Sequence, residues 1–370
     1  MTTTLLPQTQ VAQQKEALME RMLNAAAGTF DIFTIYIGDR LGFYQALAQN
    51  WLTSGELAAQ TQTQERYVRE WLEQQTVSGI LVVDDEKAAA RTRRYHLPEG
   101  HQEILIDQDS LDFLTPLTHM LVGVTRPLDA LLNAYRQGGG VPYSEYGEVF
   151  RNGQASINRT MFLQLLGTEW MPTMPDVHEQ LQANPHARVA DIGCGGGWSS
   201  IALAQTYPHI QVDAFDLDAP SVELARRNVA EAGLSDRVHI YQRDASDPTL
   251  AGQYNLVTAF ECLHDLGNPV AALGMMRQLA GEKGVVLIAD ERVGDTFTAK
   301  GNDVEWMMYG WSVLHCLPVG MADGADCYCG GTGTVMRYDT LRFYAQAAGF
   351  HNVEVLPVDN FFFRLYRLNA

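Results

Sequence analysis

The sequence predicts an α/β protein in which a doubly wound parallel sheet follows a mainly helical N-terminal domain. Three observations carry this. Residues 188–197 run from a short apolar segment into Asp191-Ile-Gly-Cys-Gly-Gly-Gly, a strand entering a glycine-rich turn. Four further apolar segments follow, each leading into acidic residues and separated by helical stretches such as Ser221-Val-Glu-Leu-Ala-Arg-Arg. That alternation builds a parallel sheet with helices on both faces. The first hundred residues, by contrast, show helical periodicities and one hairpin pattern.

In chain order, residues 9–28 and 31–49 space apolar side chains for two amphipathic helices. Thr53-Ser54 opens a short helix, a polar turn follows, and Glu65 to Leu72 makes a second helix. Ile80-Leu-Val-Val and Tyr95-His-Leu then read as paired strands on either side of the basic residues Lys87, Arg91, Arg93 and Arg94. Helix, turn, helix, hairpin is the order of a winged helix, expected over residues 1–105. Its second helix sets Arg66 and Arg69 against Glu65, Glu70 and Glu73, so the wing alone is basic. The expected role of this domain is therefore homodimerisation or substrate enclosure rather than reading of DNA. Residues 106–175, punctuated by Pro116, Pro127, Pro142 and Gly138-Gly-Gly, read as a helical linker that caps a substrate, with Tyr143 and Tyr146 as pocket candidates. Residues 176–370 hold the sheet.

The chain has 370 residues, 44 acidic and 26 basic, for a formal charge of −18. Nine basic and twelve acidic residues leave −3 on the first hundred positions and −15 on the remainder. Nucleic acid, which needs a basic footprint, is excluded as the main partner. No apolar run approaches the roughly 18 residues of a membrane span. The start, Met1-Thr-Thr-Thr, lacks the basic and apolar regions of a secretory signal, so a cytoplasmic chain without a membrane partner is expected. Five cysteines, Cys194, Cys262, Cys316, Cys327 and Cys329, form an odd set that suits free thiols. Cys327-Tyr-Cys329 lacks the second pair that a zinc site requires.

The chemistry concentrates after residue 188. Gly193, Gly195 and Gly197 allow a tight turn and close approach of a ligand to the backbone. The helix starting at Trp198 directs its N-terminus at the same place. The second strand ends at Asp216, 25 residues beyond Asp191, where a carboxylate can accept both hydroxyl protons of a ribose. The third ends in Arg243-Asp244-Ala245, 28 residues after Asp216, where a carboxylate can take the amino protons of an adenine. The fourth ends in Ala259-Phe260-Glu261 and the fifth in Asp290-Glu291. A dinucleotide site fits less well, because its pattern does not require the Asp244-Ala element and the glycine run lies mid-chain.

This ordered set resembles the class I S-adenosylmethionine-dependent methyltransferases, with their Rossmann-like sheet, over roughly residues 160–370. The preceding winged helix narrows the resemblance to the O-methyltransferase-like group, which usually dimerises through that region. The resemblance implies S-adenosyl-L-methionine as cofactor. Gly193 and Gly195 would lie along its methionine part, Asp216 at the ribose and Asp244 at the adenine; Asp191, Gly197, Leu217, Ala245 and Phe260 complete the candidate set. Leu263-His264-Asp265 matches the group's His-Asp-Trp motif, with Leu266 in place of the tryptophan, and implies His264 as general base toward an acceptor hydroxyl. An imidazole titrating near 6.5 suits that task. Glu291 and Glu305 are candidates to hold this histidine. Trp306, Tyr309 and His315, on a helix expected over the cofactor, are candidate substrate contacts.

The expected reaction is methyl transfer to an oxygen or sulfur of a small molecule, without a metal. Three alternatives stay open. One is S-methylation of a methylthio-hydroxy acid, as on the route to dimethylsulfoniopropionate, which needs no base and would use Arg126 or Arg151 for the carboxylate. Another is C-methylation of a 2-oxo acid with a metal at His264 and His315. The third is a winged-helix regulator that senses S-adenosylmethionine.

Overall fold

The N-terminal periodicity forms two helices as expected, but the break between them falls more than ten residues later. In the computed structural model, which describes residues 8–322 and 330–369, α1 (Gln8–Arg40) runs unbroken through Gly28. The chain turns instead at Gly42, whose φ of +70° suits glycine, before α2 (Phe43–Gln49). Gly28 has open space around it, so no packing forces a break there, and an isolated glycine costs a helix only about 1 kcal/mol relative to alanine. Cys327, Cys329 and the Met1-Thr start lie outside the described residues.

β1 (Leu52–Thr53), α3 (Ser54–Gln60), α4 (Glu65–Val77), β2 (Val82–Val83) and β3 (Arg94–His96) follow, with the strands paired in the order β1-β3-β2. This is the winged helix, with a third strand that the sequence pattern did not reveal. Thr53 begins α3 with a reciprocal cap: the Glu56 N–H donates to Thr53 Oγ1 at 3.2 Å, and the Thr53 N–H donates to Glu56 Oε2 at 2.8 Å. Trp71 ties α4 to α1 by donating Nε1–H to the Thr34 carbonyl at 2.8 Å. The indole packs against Gly38 with no room for a β-carbon. Three wing arginines are paired within the domain: Arg93 with Glu73 at 3.0 Å, Arg94 with Glu56 at 3.2 Å and Arg91 with Glu65 at 3.8 Å. α5 (Glu99–Leu105) and α6 (Thr115–Val124) complete this part, and the chain divides into compact units Met1–Val122 and Gly123–Ala370.

The second unit opens with helices: α7 (Leu128–Gln137), α8 (Gly147–Ile157), α9 (Arg159–Met161), a π-helical continuation over Phe162–Trp170, and α10 (Pro175–Ala183). The sheet region then alternates β4 (Arg188–Ile192), α11 (Trp198–Thr206), β5 (Gln211–Asp216), α12 (Ala219–Glu231), β6 (Val238–Gln242), β7 (Leu256–Phe260), α13 (Pro269–Ala280) and β8 (Val285–Glu291). α14 (Asp303–Trp311), α15 (Leu317–Gly320), α16 (Tyr338–Ala347), β9 (Asn352–Val355) and β10 (Phe363–Asn369) finish the chain. The seven strands order as β6-β5-β4-β7-β8-β10-β9, with β10 antiparallel to both neighbours and β4 to β8 parallel. The chain steps outward from β4 to β6 and returns to β7 on the other side of β4. Ligands bind outside the strand C-termini at such a reversal.

Both faces of the sheet are covered. β8 sends Val286 and Ile288 to a core with Val257, Leu273 and Tyr366, and sends Val285 and Leu287 to the opposite core with Leu166, Trp170 and Ile201. Burial on both sides explains why these strands read as unbroken apolar runs. Among the described residues no helix is long and apolar enough to cross a membrane.

Candidate active site

A cavity of about 830 Å³ opens at the reversal between β4 and β7, within the size range of ligand sites. The turn after β4 forms one wall through Gly193, Cys194, Gly195 and Gly196. Gly193 and Gly195 hold φ of +66° and +51°, and a β-carbon on Gly193 would collide with Cys262. Asp191 sits beneath the turn rather than in the wall. Its carboxylate accepts the hydroxyls of Ser199 and Ser200, both at 2.6 Å, and of Thr258 at 2.7 Å. Asp191 therefore fixes the turn from below. Gly197 also stays out of the wall, starting α11 at φ +78° against Ala225.

Asp216 ends β5 in the cavity wall and accepts backbone N–H groups from Gly195 at 2.8 Å and Asp218 at 2.9 Å. Burial pushes its carboxyl up to about 6 against those two donors. Ligand hydroxyls would relieve that cost by donating to it. Leu217, Asp244, Ala245 and Phe260 line the same cavity. Asp244 Oδ1 accepts the Ser246 N–H and hydroxyl, each at 2.7 Å.

Charge decides what the cavity can hold. Asp216, Asp218, Asp244, Glu261 and Asp265 line it, against Arg151 and Arg243. Arg151 is bound to Asp218 at 2.6 Å and Arg243 to Asp247 at 2.6 Å, so neither guanidinium is free to take a phosphate. Arg126 lies against Gly147 and is not in the lining. An acidic wall of this kind suits a ligand that carries hydroxyl and amino donors and positive charge, and not a pyrophosphate.

His264 follows β7 on a short 3-10 turn, Leu263–Asp265, but it is 1% exposed and is not among the residues lining the cavity. Its Nδ1 is 2.8 Å from Asp290 and 3.3 Å from Glu291, and its Nε2 is 3.3 Å from Asp265. Burial alone would lower this imidazole, but the three carboxylates outweigh it and hold His264 well above its ordinary value. Burial drives Glu291 up, while the His264 charge holds Asp290 down. The group is a cation held among carboxylates, outside the cavity lining. Asp290, not Glu305, makes the shortest contact to the histidine. Glu305 instead pairs with Arg337 at 2.6 Å, and Arg337 also donates to the Tyr309 hydroxyl at 3.3 Å.

The aromatic candidates divide as well. Tyr143 lines the cavity and donates its hydroxyl to Gln154 at 2.8 Å. Tyr146 is buried behind it, with its hydroxyl on the Leu314 carbonyl at 2.8 Å. Trp306 and Tyr309 are exposed on α14, outside the lining. His315 stacks on Phe150 with centroids 4.3 Å apart, and burial lowers it to about 4. The donor groups that come together around His264 are Asp265 with Cys316, or Asp290 with Glu291; His315 joins neither. Sequence reasoning named Glu261 only as a strand end, although it lines the cavity with φ +52°. It missed Asn158, whose side-chain amide donates to Glu261.

Residues 183–323 match the family model described as "Methyltransferase domain", and residues 31–106 match "Rv2258c-like winged HTH domain". The solved mitomycin 7-O-methyltransferase MmcR covers 97% of this chain and 99% of its own with a TM-score of 0.71 at 17% identity. Human N-acetylserotonin methyltransferase, solved with S-adenosylmethionine, covers 100% and 99% with a TM-score of 0.69 at 15% identity. At these identities the likeness establishes the fold. Among curated proteins, the ubiquinone biosynthesis O-methyltransferase of Azoarcus sp. is 30% identical over 102 residues, 28% of this chain and 43% of that protein. The tRNA1(Val) (adenine(37)-N6)-methyltransferase of Enterobacter sp. is 29% identical over 33% of this chain and 58% of its own. The chain spans between 5% and 58% of the length of the curated relatives it matches.

In chain order, a winged-helix domain precedes a methyltransferase domain, and the fold is that of the class I S-adenosylmethionine-dependent methyltransferases. The match is to a methyltransferase domain over residues 183–323 preceded by a winged-helix domain, and S-adenosylmethionine is the cofactor such a domain takes.

Proposed function

We propose that the protein transfers the methyl group of S-adenosylmethionine to a hydroxyl of a small molecule bound in the same cavity. The observation that carries this reading is the meeting of the glycine turn and the buried Asp216 in an acidic cavity without a free guanidinium. When bound, S-adenosylmethionine supplies an activated methyl on a positively charged sulfur. The chain's own residues do the rest. Asp216 and Asp244 accept donors from ribose and adenine, and the surrounding carboxylates favour a cation. Pro142, Tyr143, Phe162 and Val319 give the cavity an apolar side that keeps water from the acceptor. Aligning the two reactants in that enclosure accounts for most of the rate.

The winged-helix unit serves a second copy of this chain. α1 exposes Leu18, Met19, Met22, Leu23 and Phe30, and the wing arginines are already paired to carboxylates. Sedimentation should show a dimer; a monomer at micromolar concentration would remove this role. For the activity, the protein is incubated with S-adenosylmethionine and a panel of small phenols, hydroxy acids and thioether acids. S-adenosylhomocysteine release that depends on a hydroxyl compound is expected. Release with thioether acids alone, or with nothing, would overturn the reading.

A further inference from the structure

The group that the hydroxyl reading calls for is a proton acceptor facing the cavity, and His264 does not line it. Glu261 does. It follows the last residue of β7 on left-handed backbone, φ +52°, a conformation that L side chains other than Asn and Asp seldom adopt. Such strain persists where the surroundings over-determine it, and here the Glu261 N–H is held by the Ala289 carbonyl at 2.8 Å. Asn158, at the end of α8, orients the side chain by donating to Oε2.

We infer that Glu261 is the residue that takes the proton of the acceptor hydroxyl, with His264 as a positioning cation behind it. The inference rests on the methyl-transfer reading above. The acceptor O–H bond breaks and its proton goes to a Glu261 carboxylate oxygen. The oxygen's electron pair forms the new bond to the methyl group, and the pair of the broken carbon–sulfur bond stays on sulfur, leaving a neutral thioether. The proton later leaves Glu261 for water.

The charged groups around Glu261 fit the task. His264 from the 3-10 turn favours its ionised form, whereas Asp265 from the same turn and Asp290 and Glu291 from β8 oppose it. Burial is the largest influence and pushes the carboxyl up to about 7, against the Asn158 hydrogen bond. A base balanced near the working pH transfers protons most effectively.

The test compares wild type, Glu261→Gln and Glu261→Gly, using the best hydroxyl acceptor from the panel. Wild-type kcat/KM should rise with pH through a single ionisation near 7. Glu261→Gln should lose about 10²–10⁴-fold in turnover together with that limb, while S-adenosylhomocysteine affinity by calorimetry changes only a few-fold. Glu261→Gly should lose turnover equally yet melt at the same or a higher temperature, because glycine accepts the left-handed backbone. A protonated-carboxyl infrared band titrating near pH 7 in wild type should be absent from Glu261→Gln. Retention of the pH limb and of turnover in Glu261→Gln would overturn the inference. So would a loss of S-adenosylhomocysteine affinity as large as the loss of turnover, which would make Glu261 a cofactor contact. If wild type itself turns over no hydroxyl acceptor, the methyl-transfer reading fails first, and that result is distinct from either.

Discussion

Two buried histidines of the catalytic unit, His264 and His315, have been driven in opposite directions. His264 is surrounded by Asp290, Glu291 and Asp265 and is held charged. His315 is surrounded by Phe150, Tyr146 and Tyr143, and its nearest carboxylate, Asp265, is 3.9 Å away, so burial wins and it stays neutral. Burial is shared, and the neighbours decide the sign. The contrast also separates two kinds of loss: removing His264 strips the charge that holds Asp290 ionised, whereas removing His315 strips a ring from a stack.

The largest effect should follow His264→Ala. Leaving the buried Asp290 without its cation is expected to cost about 3–5 kcal/mol of unfolding free energy, measured by urea titration. A loss below about 1 kcal/mol would mean that this acid is already neutral. The next effect is in pH dependence. His264 has a raised folded pKa, so its contribution is complete below about 6.5 and fades as pH rises through the folded value. Glu291, also raised, tilts stability in the same sense. His315 does the reverse: held at about 4, it takes away roughly 3 kcal/mol of stability as pH falls from 6.5 to 4. His315→Phe should flatten that acid limb, and His264→Asn should flatten the alkaline one; an unchanged pair of limbs would break the comparison. At pH 7 His315→Phe should change stability by less than about 1.5 kcal/mol, since one flat ring replaces another. Smallest of all, Arg94→Ala on the wing removes a half-exposed pair with Glu56 and should cost at most about 1 kcal/mol, with S-adenosylhomocysteine binding unaltered.

Most of the fold was legible because burial leaves a pattern. Strands β4, β7 and β8 are buried along almost their whole length, so each reads as a short apolar run, and the acids that end β5 and follow β7, Asp216 and Glu261, mark where the sheet meets the cavity. The glycine turn is legible for the same local reason. What escaped depends on partners distant in sequence or on backbone angles. His264 and Asp265 are plain in the sequence, but the carboxylate that holds the imidazole is Asp290, 26 residues on. Glu305 is held by Arg337, 32 residues on, so its sequence position next to the aromatic cluster misleads. Glu261 sits at a strand end like other acids, and only its positive φ and its place in the wall set it apart. In α1, Gly28 reads as a break, while the real turn falls at Gly42, because a glycine alone does not state which φ it adopts.

The central claim is that Asp216 and the glycine turn hold S-adenosylmethionine, and calorimetric titration of S-adenosylhomocysteine tests it most directly. Wild type should bind, and Asp216→Ala should bind at least tenfold more weakly, as expected for loss of hydrogen bonds to a charged acceptor. Absence of binding to wild type, or equal affinity in Asp216→Ala, would contradict the account.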